Sequence, residues 1–257
     1  MSYNTLILLL APISVLGFVL AERLNPRLRN PVNGRFKVAI LMELLSKAFS
    51  VCLSYLLLLA LVNIVAPFQL LSISNLDIHP ALMLLMSILL VDFFHYLSHR
   101  LMHLVPWFWK LHRLHHSDKH VDAITSFIHH PFEVVSVFIV NVPLYVLFDV
   151  PVEAIFYHSM LMVTHSPFTH TSLKLPEKFD TLLSYFIVTP NFHRVHHSLD
   201  MKEGNSSFGI VFPFWDRLFK TLISKSAKEI YQLKFGIKPQ ESPKKYSAAQ
   251  FLINPLK

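Results

Sequence analysis

Two short stretches of this chain carry residues spaced for chemistry. One reads His112-Arg113-Leu114-His115-His116-Ser117, and a near copy returns as His193-Arg194-Val195-His196-His197-Ser198. Fifteen of the chain's 16 histidines lie between residues 95 and 197, and only His79 falls outside. On a helix, positions i, i+3 and i+4 share one face, so each copy is expected to present three imidazoles to one point. A third group, His95 and His99, is spaced i, i+4. Histidine is the commonest protein metal ligand. A single metal seldom takes more than about six protein ligands, so eight imidazoles in the pattern HxxxH, HxxHH, HxxHH suit a pair of metals with positions left open for oxygen or water.

The elements that must position these groups read as helices in a membrane. The apolar fraction is 53 % and the charged fraction 15 %, against roughly 25 % charge in an ordinary soluble domain. The net charge of +7 is scattered between apolar runs, which fits a membrane surface rather than nucleic acid. Asn4 to Ala21 carries no charge and reads as an anchor helix, a cleaved signal peptide being the competing reading. Glu22 to Lys37 is a polar loop holding Arg23, Arg27, Arg29, Arg35 and Lys37, placed on the cytoplasmic side by the positive-inside rule. Further apolar runs follow at Phe49 to Phe68, Ala81 to Ser98, Phe132 to Phe148 and Val152 to Val163. The last two are separated only by Asp149, Val150 and Pro151, which predicts a tight helical hairpin, either spanning or re-entrant. Charge alone then returns His165 onward to the face that holds His95 to His130, bringing the two triplets together.

The expected fold is therefore all-α. It is an integral membrane bundle of about four to five apolar helices with a cytoplasmic, histidine-rich helical cap. Residues 1–80 form the N-terminal membrane helices, 81–224 the core with the histidine motifs, and 225–257 a basic surface extension. The single Cys52 excludes a disulfide framework and a cysteine zinc site and is expected to pack in the apolar interior. His79, beside Pro80, reads as a cap or interfacial residue, and Trp107, Trp109 and Trp215 as interfacial anchors.

His95-Tyr96-Leu97-Ser98-His99-Arg100, Trp107 to Ser117 and Thr189-Pro190-Asn191-Phe192-His193 through Ser198 resemble the fatty acid hydroxylase and sterol desaturase superfamily of membrane di-iron oxygenases. Ser117-Asp118 with Asp122, His130-Pro131-Phe132-Glu133 and Trp215-Asp216-Arg217-Leu218-Phe219 support the resemblance, which covers about residues 90 to 220. Two positions depart from it. Ile128 stands where the family often has arginine, and His170-Thr171-Ser172 has serine where the family's HxN motif has asparagine. The resemblance implies a metal set of His95, His99, His112, His115, His116, His193, His196 and His197. His170, His165 and His130 are further ligand or neighbouring candidates, and His103 is a neighbour that continues the His99 face. His120, His129 and His158 read as structural.

The family further implies two iron ions, for which zinc could substitute in purified protein, and a reaction with O2 and external electrons. That reaction hydroxylates or desaturates an apolar lipid such as a sterol or fatty-acyl chain, with no catalytic side chain beyond the ligands. The resemblance leaves the electron donor as a separate reductase, ferredoxin or cytochrome, because the chain holds no visible haem or flavin segment. Asp92, Asp118, Asp122 and Glu133 would either orient imidazoles or cap helices and meet solvent. The alternative class is a histidine-rich membrane protein that binds or transports metal, for which ionisable residues near the middle of several spans would be expected. The sequence instead clusters its histidines at one face.

Overall fold

The apolar runs fold as long helices in a computed structural model that describes residues 3–25, 35–238 and 248–253. Helix α1 spans Tyr3–Leu24 and α2 spans Arg35–Val65. The charged stretch before the second run is thus partly helix: Arg35 and Lys37 open α2, while Arg27 and Arg29 lie outside the described residues. Helix α3, Pro80–Leu104, starts where the His79 ring accepts the Ala81 N–H at 3.2 Å and Pro80 takes the first helical position. It stops at Val105, held in extended backbone before Pro106, and Pro106 begins α4, Pro106–His116. A single X-Pro step therefore sets the corner between the HxxxH and the first HxxHH segments.

Helices α5, Glu133–Leu147, and α6, Val152–His170, form the expected pair around Asp149. Asp149 has a left-handed φ of 44°, and its carboxylate accepts the Ser72 hydroxyl at 2.6 Å. Both arms pack on α3, while α1 covers α6 and α2 covers α5. Helix α3 is consequently the centre of the assembly. Among the described residues it is also the one helix long and apolar enough to cross a membrane; α5 is a shorter apolar helix.

Six short helices follow: α7 Glu177–Leu183, α8 Pro190–His196, α9 Met201–Gly204, α10 Phe214–Leu218, α11 Ala227–Gln232 and α12 Ala248–Ile253. The described residues contain no strand beyond one isolated bridge between Ser198 and Phe235. The all-α expectation therefore matches the described residues. Past Ser224, α11 packs on α8, α12 packs on α2, and Ile230 and Ile237 are buried. Cys52 corrects the packing expectation, since its side chain is exposed on α2.

Two charged residues expected in a polar loop are instead buried fasteners. Arg35 is 2 % exposed, binds Asp122 at 2.6 Å, and also reaches Asp118 and Thr125. Glu22 accepts the backbone N–H groups of Ala123 and Ser172 and the Thr171 hydroxyl, at 2.8, 2.6 and 2.8 Å. Burial raises the Glu22 carboxyl above the ordinary range, and these three donors offset part of that cost. Arg194 completes the set by donating to the Val121 and Thr171 carbonyls at 3.0 and 2.9 Å. Together they tie the ends of α1, α2, α4, α6 and α8 around the residue 118–127 loop. Removing one partner of a buried ion pair typically costs about 3–5 kcal/mol, because the remaining charge is left without compensation. Arg35→Ala is therefore expected to lower the thermal unfolding midpoint of the purified protein markedly, with Arg35→Lys falling between it and the parent. Equal midpoints for all three would contradict this role.

Candidate metal centre

Nine imidazoles from four helices converge at the end of the bundle where α3 meets α4. They form two groups. His99, His103, His112, His116 and His196 make one, and His115, His170, His193 and His197 the other; within each, candidate ligand nitrogens lie within 4.8 Å of one another. All nine are buried. The expectation that each triplet faces a single point is corrected here. His112 and His116 point to the first group and His115 to the second, whereas His193 and His197 point to the second and His196 to the first. Consecutive helical residues differ by about 100° in direction, so the adjacent pair in HxxHH must diverge. Each triplet therefore supplies two nitrogens to one group and one to the other, and the paired halves interlock. His116 stacks on His197 at a centroid distance of 4.5 Å and lies 4.6 Å from His196.

The outward nitrogens explain why the inward ones are free. His99 Nδ1–H donates to the Phe208 carbonyl at 2.8 Å and His196 Nδ1–H to Ser206 at 2.8 Å. His170 Nδ1–H donates to Ser166 at 2.7 Å and His115 Nδ1–H to Ile128 at 3.3 Å. His112 meets the Glu133 carboxylate at 2.9 Å, and His103 the Asn205 side-chain oxygen at 3.2 Å. An oxygen acceptor fixes the proton on Nδ1, so a neutral ring must point its Nε2 lone pair inward. Those Nε2 atoms crowd together: His115 and His170 at 3.0 Å, His170 and His193 at 3.0 Å, His112 and His116 at 3.2 Å, His193 and His197 at 3.1 Å. His103 Nε2 and His196 Nε2 have no hydrogen-bond partner among the described residues.

Protonation does not relieve this crowd. Burial, followed by the neighbouring rings, holds His115, His116, His193, His196 and His197 well below the ordinary imidazole range. Two nitrogens bound at right angles to one ion, each about 2.1 Å from it, lie about 3.0 Å apart. The observed spacings fit that arrangement, and the all-imidazole donor set suits iron, zinc or copper.

The remaining candidates lie elsewhere. His95 is outside both groups; its ring nitrogens face Tyr145 Oη at 3.1 Å and Asn141 at 3.4 Å, and it stacks on His158 at 4.8 Å. His130 accepts the Phe132 N–H at 3.1 Å and donates to the Leu252 carbonyl at 3.2 Å. His165 lines an apolar cavity of about 350 Å³ between α1, α6 and residues 187 and 211–212. His103, read from sequence only as a neighbour, belongs to the first group. HxxxH occurs twice in register, as His95–His99 and His99–His103, and the i+4 spacing of His103 was the available signal.

The carboxylates divide between the two roles open to them. Glu133 orients His112 and also accepts from His129 at 3.1 Å, whose ring stacks on His115 at 4.3 Å. Asp92 serves His158, at 2.8 Å, together with the Trp215 indole at 2.9 Å, rather than a residue of either group. Asp118 and Asp122 belong to the Arg35 fastener. Trp109 packs on His103 and His116, and only Trp107, 62 % exposed, stands outward as an anchor would.

The chain is 30 % identical to an alkylglycerol monooxygenase of Caenorhabditis elegans over 139 residues, covering 51 % of this chain and 25 % of that protein. It is 28 % identical to the ornithine lipid hydroxylase OlsE of Rhizobium tropici over 143 residues, 55 % of this chain and 42 % of that protein. A very-long-chain aldehyde decarbonylase, GL1-4 of Oryza sativa subsp. indica, is 28 % identical over 157 residues, 55 % of this chain and 23 % of that protein. The chain thus spans less than half the length of each of these relatives, and no solved structure matches it. The fatty acid hydroxylase family matches residues 84–221, more than half of the chain, and that span takes in all nine converging histidines. The chain belongs to the fatty acid hydroxylase family.

Proposed function

We propose that this protein is a multi-pass membrane oxygenase that uses O2 and electrons from a separate donor to hydroxylate or desaturate an apolar lipid. The reading rests on one observation above the others: nine buried imidazoles gather in two groups, and six of them have Nδ1 held by a fixed oxygen, which turns their Nε2 lone pairs inward. In this proposal His99, His103, His112, His116 and His196 hold one iron, and His115, His170, His193 and His197 hold the other. His95, His165 and His130 stay outside the ligand set. Zinc would occupy the same nitrogens in protein purified without iron. When bound, the two irons supply the redox chemistry that O2 needs to attack an unactivated C–H bond.

The chain's own residues do the rest. Phe208, Ser206, Ser166 and Ile128 carbonyls, with Glu133 and Asn205, fix the tautomer and direction of six of the nine rings, which raises their basicity toward the metal. Phe208, 2 % exposed, closes over His99, His103 and His196 and keeps water from the first group. Leu16, Leu44, Val51, Leu85 and Ile139 stand outward on the long helices and supply an apolar girdle suited to lipid. The basic character of residues 100–119 supports placing the histidine end in the cytoplasm. The names of the relatives, an alkylglycerol monooxygenase, an ornithine lipid hydroxylase and a very-long-chain aldehyde decarbonylase, support a lipid as substrate.

Ligand variants separate the two HxxxH readings. His103→Ala is expected to lose metal from the purified protein, whereas His95→Ala keeps the parent's metal content; the reverse pattern would reassign the first group. Glu133→Gln is expected to weaken metal affinity by about 10–100-fold, as loss of an orienting carboxylate typically does, measured by competition with a chelator; parent-like affinity would contradict the orienting role. The reaction itself is read by lipid mass spectrometry of cells with and without the gene, grown under isotope-labelled O2. A lipid gaining one labelled oxygen, or losing two hydrogens, is the expected result. Lipid pools indistinguishable between the two strains would contradict an enzyme of this class.

A further inference from the structure

The segment after α8 does not stay at the histidine end of the bundle. Asn205 meets His103, Phe208 meets His99, and Thr221 meets Tyr96 at 2.9 Å. Val211, Phe212 and Trp215 all donate to Asp92, the midpoint of the 25-residue α3. From His103 to Asp92 is eleven residues of helix, so residues 205–221 run about 16 Å along α3 toward its middle. Phe219 stacks on Phe93 at 5.7 Å and on Tyr96 at 5.6 Å. Gly209 permits the close course of this strap, since a Cβ there would lie 3.0 Å from the Asp216 carboxylate and 3.0 Å from the Phe212 carbonyl.

Residues 179–187 sit on the same side. Arg217 of α10 donates to the Ser184 carbonyl at 2.9 Å and lies over the Tyr185 ring at 5.1 Å, joining α10 to the turn after α7. Ile187 reaches the cavity shared with Leu161, His165 and Phe168 of α6 and Phe18 of α1. The outer face of this joined unit is apolar and uncovered: Phe179, Leu182, Tyr185, Phe186 and Leu218 are 52, 62, 62, 66 and 65 % exposed. Lysines 174, 178 and 220, all exposed, flank these residues along the chain. Of the acidic neighbours, Asp180 is buried and accepts from Thr189, while the exposed Glu177 accepts the Ala227 N–H.

We infer that this face is a membrane-insertion surface, immersed in the leaflet that α3 crosses, with the lysines on anionic lipid headgroups. It rests on the reading of α3 as a membrane span. An apolar face wide enough to take several aromatic side chains and flanked by lysine is the pattern of a helix lying in the interface rather than spanning it. Its depth follows from the strap, which carries Leu218 back to the level of Phe93 and Tyr96, within the histidine-side end of the apolar run Ala81 to Ser98, instead of into the cytoplasm. The cavity behind Ile187 and Phe212 thereby adjoins the leaflet.

Site-directed labelling tests this on the full chain. The lone cysteine is replaced (Cys52→Ser), and Leu182→Cys, Phe186→Cys and, as a control on α11, Lys228→Cys each carry an environment-sensitive fluorophore. The protein is reconstituted in vesicles of phosphatidylcholine with or without phosphatidylglycerol. Labels at 182 and 186 are expected to be quenched by chain-spin-labelled lipid and spared by aqueous iodide, and the label at 228 to behave in the opposite way. Phosphatidylglycerol is expected to deepen the lipid quenching, and the triple variant Lys174→Glu, Lys178→Glu, Lys220→Glu to abolish that dependence. Labels at 182 and 186 quenched by iodide overturn the inference. So do labels shielded from both quenchers, which would indicate cover by a second copy or another protein, and lipid quenching that ignores phosphatidylglycerol. Metal content is measured on the same samples. Metal-loaded chains with water-exposed labels overturn this inference and leave the oxygenase reading standing, whereas metal-free chains with lipid-exposed labels do the reverse.

Discussion

Everything in this structure depends on one constraint: a buried imidazole has two nitrogens, and fixing the proton on one commits the lone pair of the other. Six of the nine converging rings have Nδ1 held by an oxygen, four of them by backbone carbonyls. Three of them, His112, His115 and His170, face a neighbouring Nε2 at 3.0 to 3.2 Å, and His193 and His197 face each other at 3.1 Å. Such a cluster is stable only around positive charge, and burial opposes supplying it as protons. On the proposed reading, the demand for metal is thus built into the hydrogen bonds rather than into the rings alone.

The rest of the chain reads as the apparatus that holds those acceptors still. Helix α3 supplies two rings and is flanked by both arms of the α5–α6 pair, so the carbonyl at Ser166 and the carboxylate of Glu133 arrive from opposite sides. Arg35, Glu22 and Arg194 fasten the polar loop between α4 and α5 to three other elements. The strap after α8 closes the cage from below, giving Asn205, Ser206 and Phe208 to three different histidines. Asp216 anchors that strap by accepting the Phe208 and Gly209 N–H groups at 2.9 and 2.7 Å.

The histidine motifs and the apolar runs were legible because each depends on local periodicity. The hairpin at Asp149 was legible for a similar reason, since three residues leave room only for a tight turn, whereas the corner at Val105-Pro106, where proline restricts its predecessor, was not read from the sequence. Otherwise, what escaped was whatever depends on distant contact. Spacing could not say whether His99 pairs with His95 or His103, because both lie one turn away on the same face; the choice is made by Tyr145 and Asn141 on α5 and by Asn205 on the strap. Nor could it say that adjacent rings in HxxHH part company, which follows from helical rotation but needs the second group to be visible. Arg35 and Glu22 looked like members of a solvated loop because their partners lie roughly 85 to 150 residues further along. His170 was a motif with a missing asparagine, and its Nδ1 finds the Ser166 carbonyl at i−4 instead.

Family membership places residues 84–221 among lipid-modifying relatives, and the proposed function gives the interlocked triplets a physical role, a wall of imidazoles shared by two ions. X-ray absorption and elemental analysis on the purified, iron-loaded protein test this most directly. The account predicts two ions per chain, each in a shell dominated by imidazole nitrogen at about 2.1 Å. One ion or none per chain, or a shell dominated by oxygen or sulfur, would contradict it.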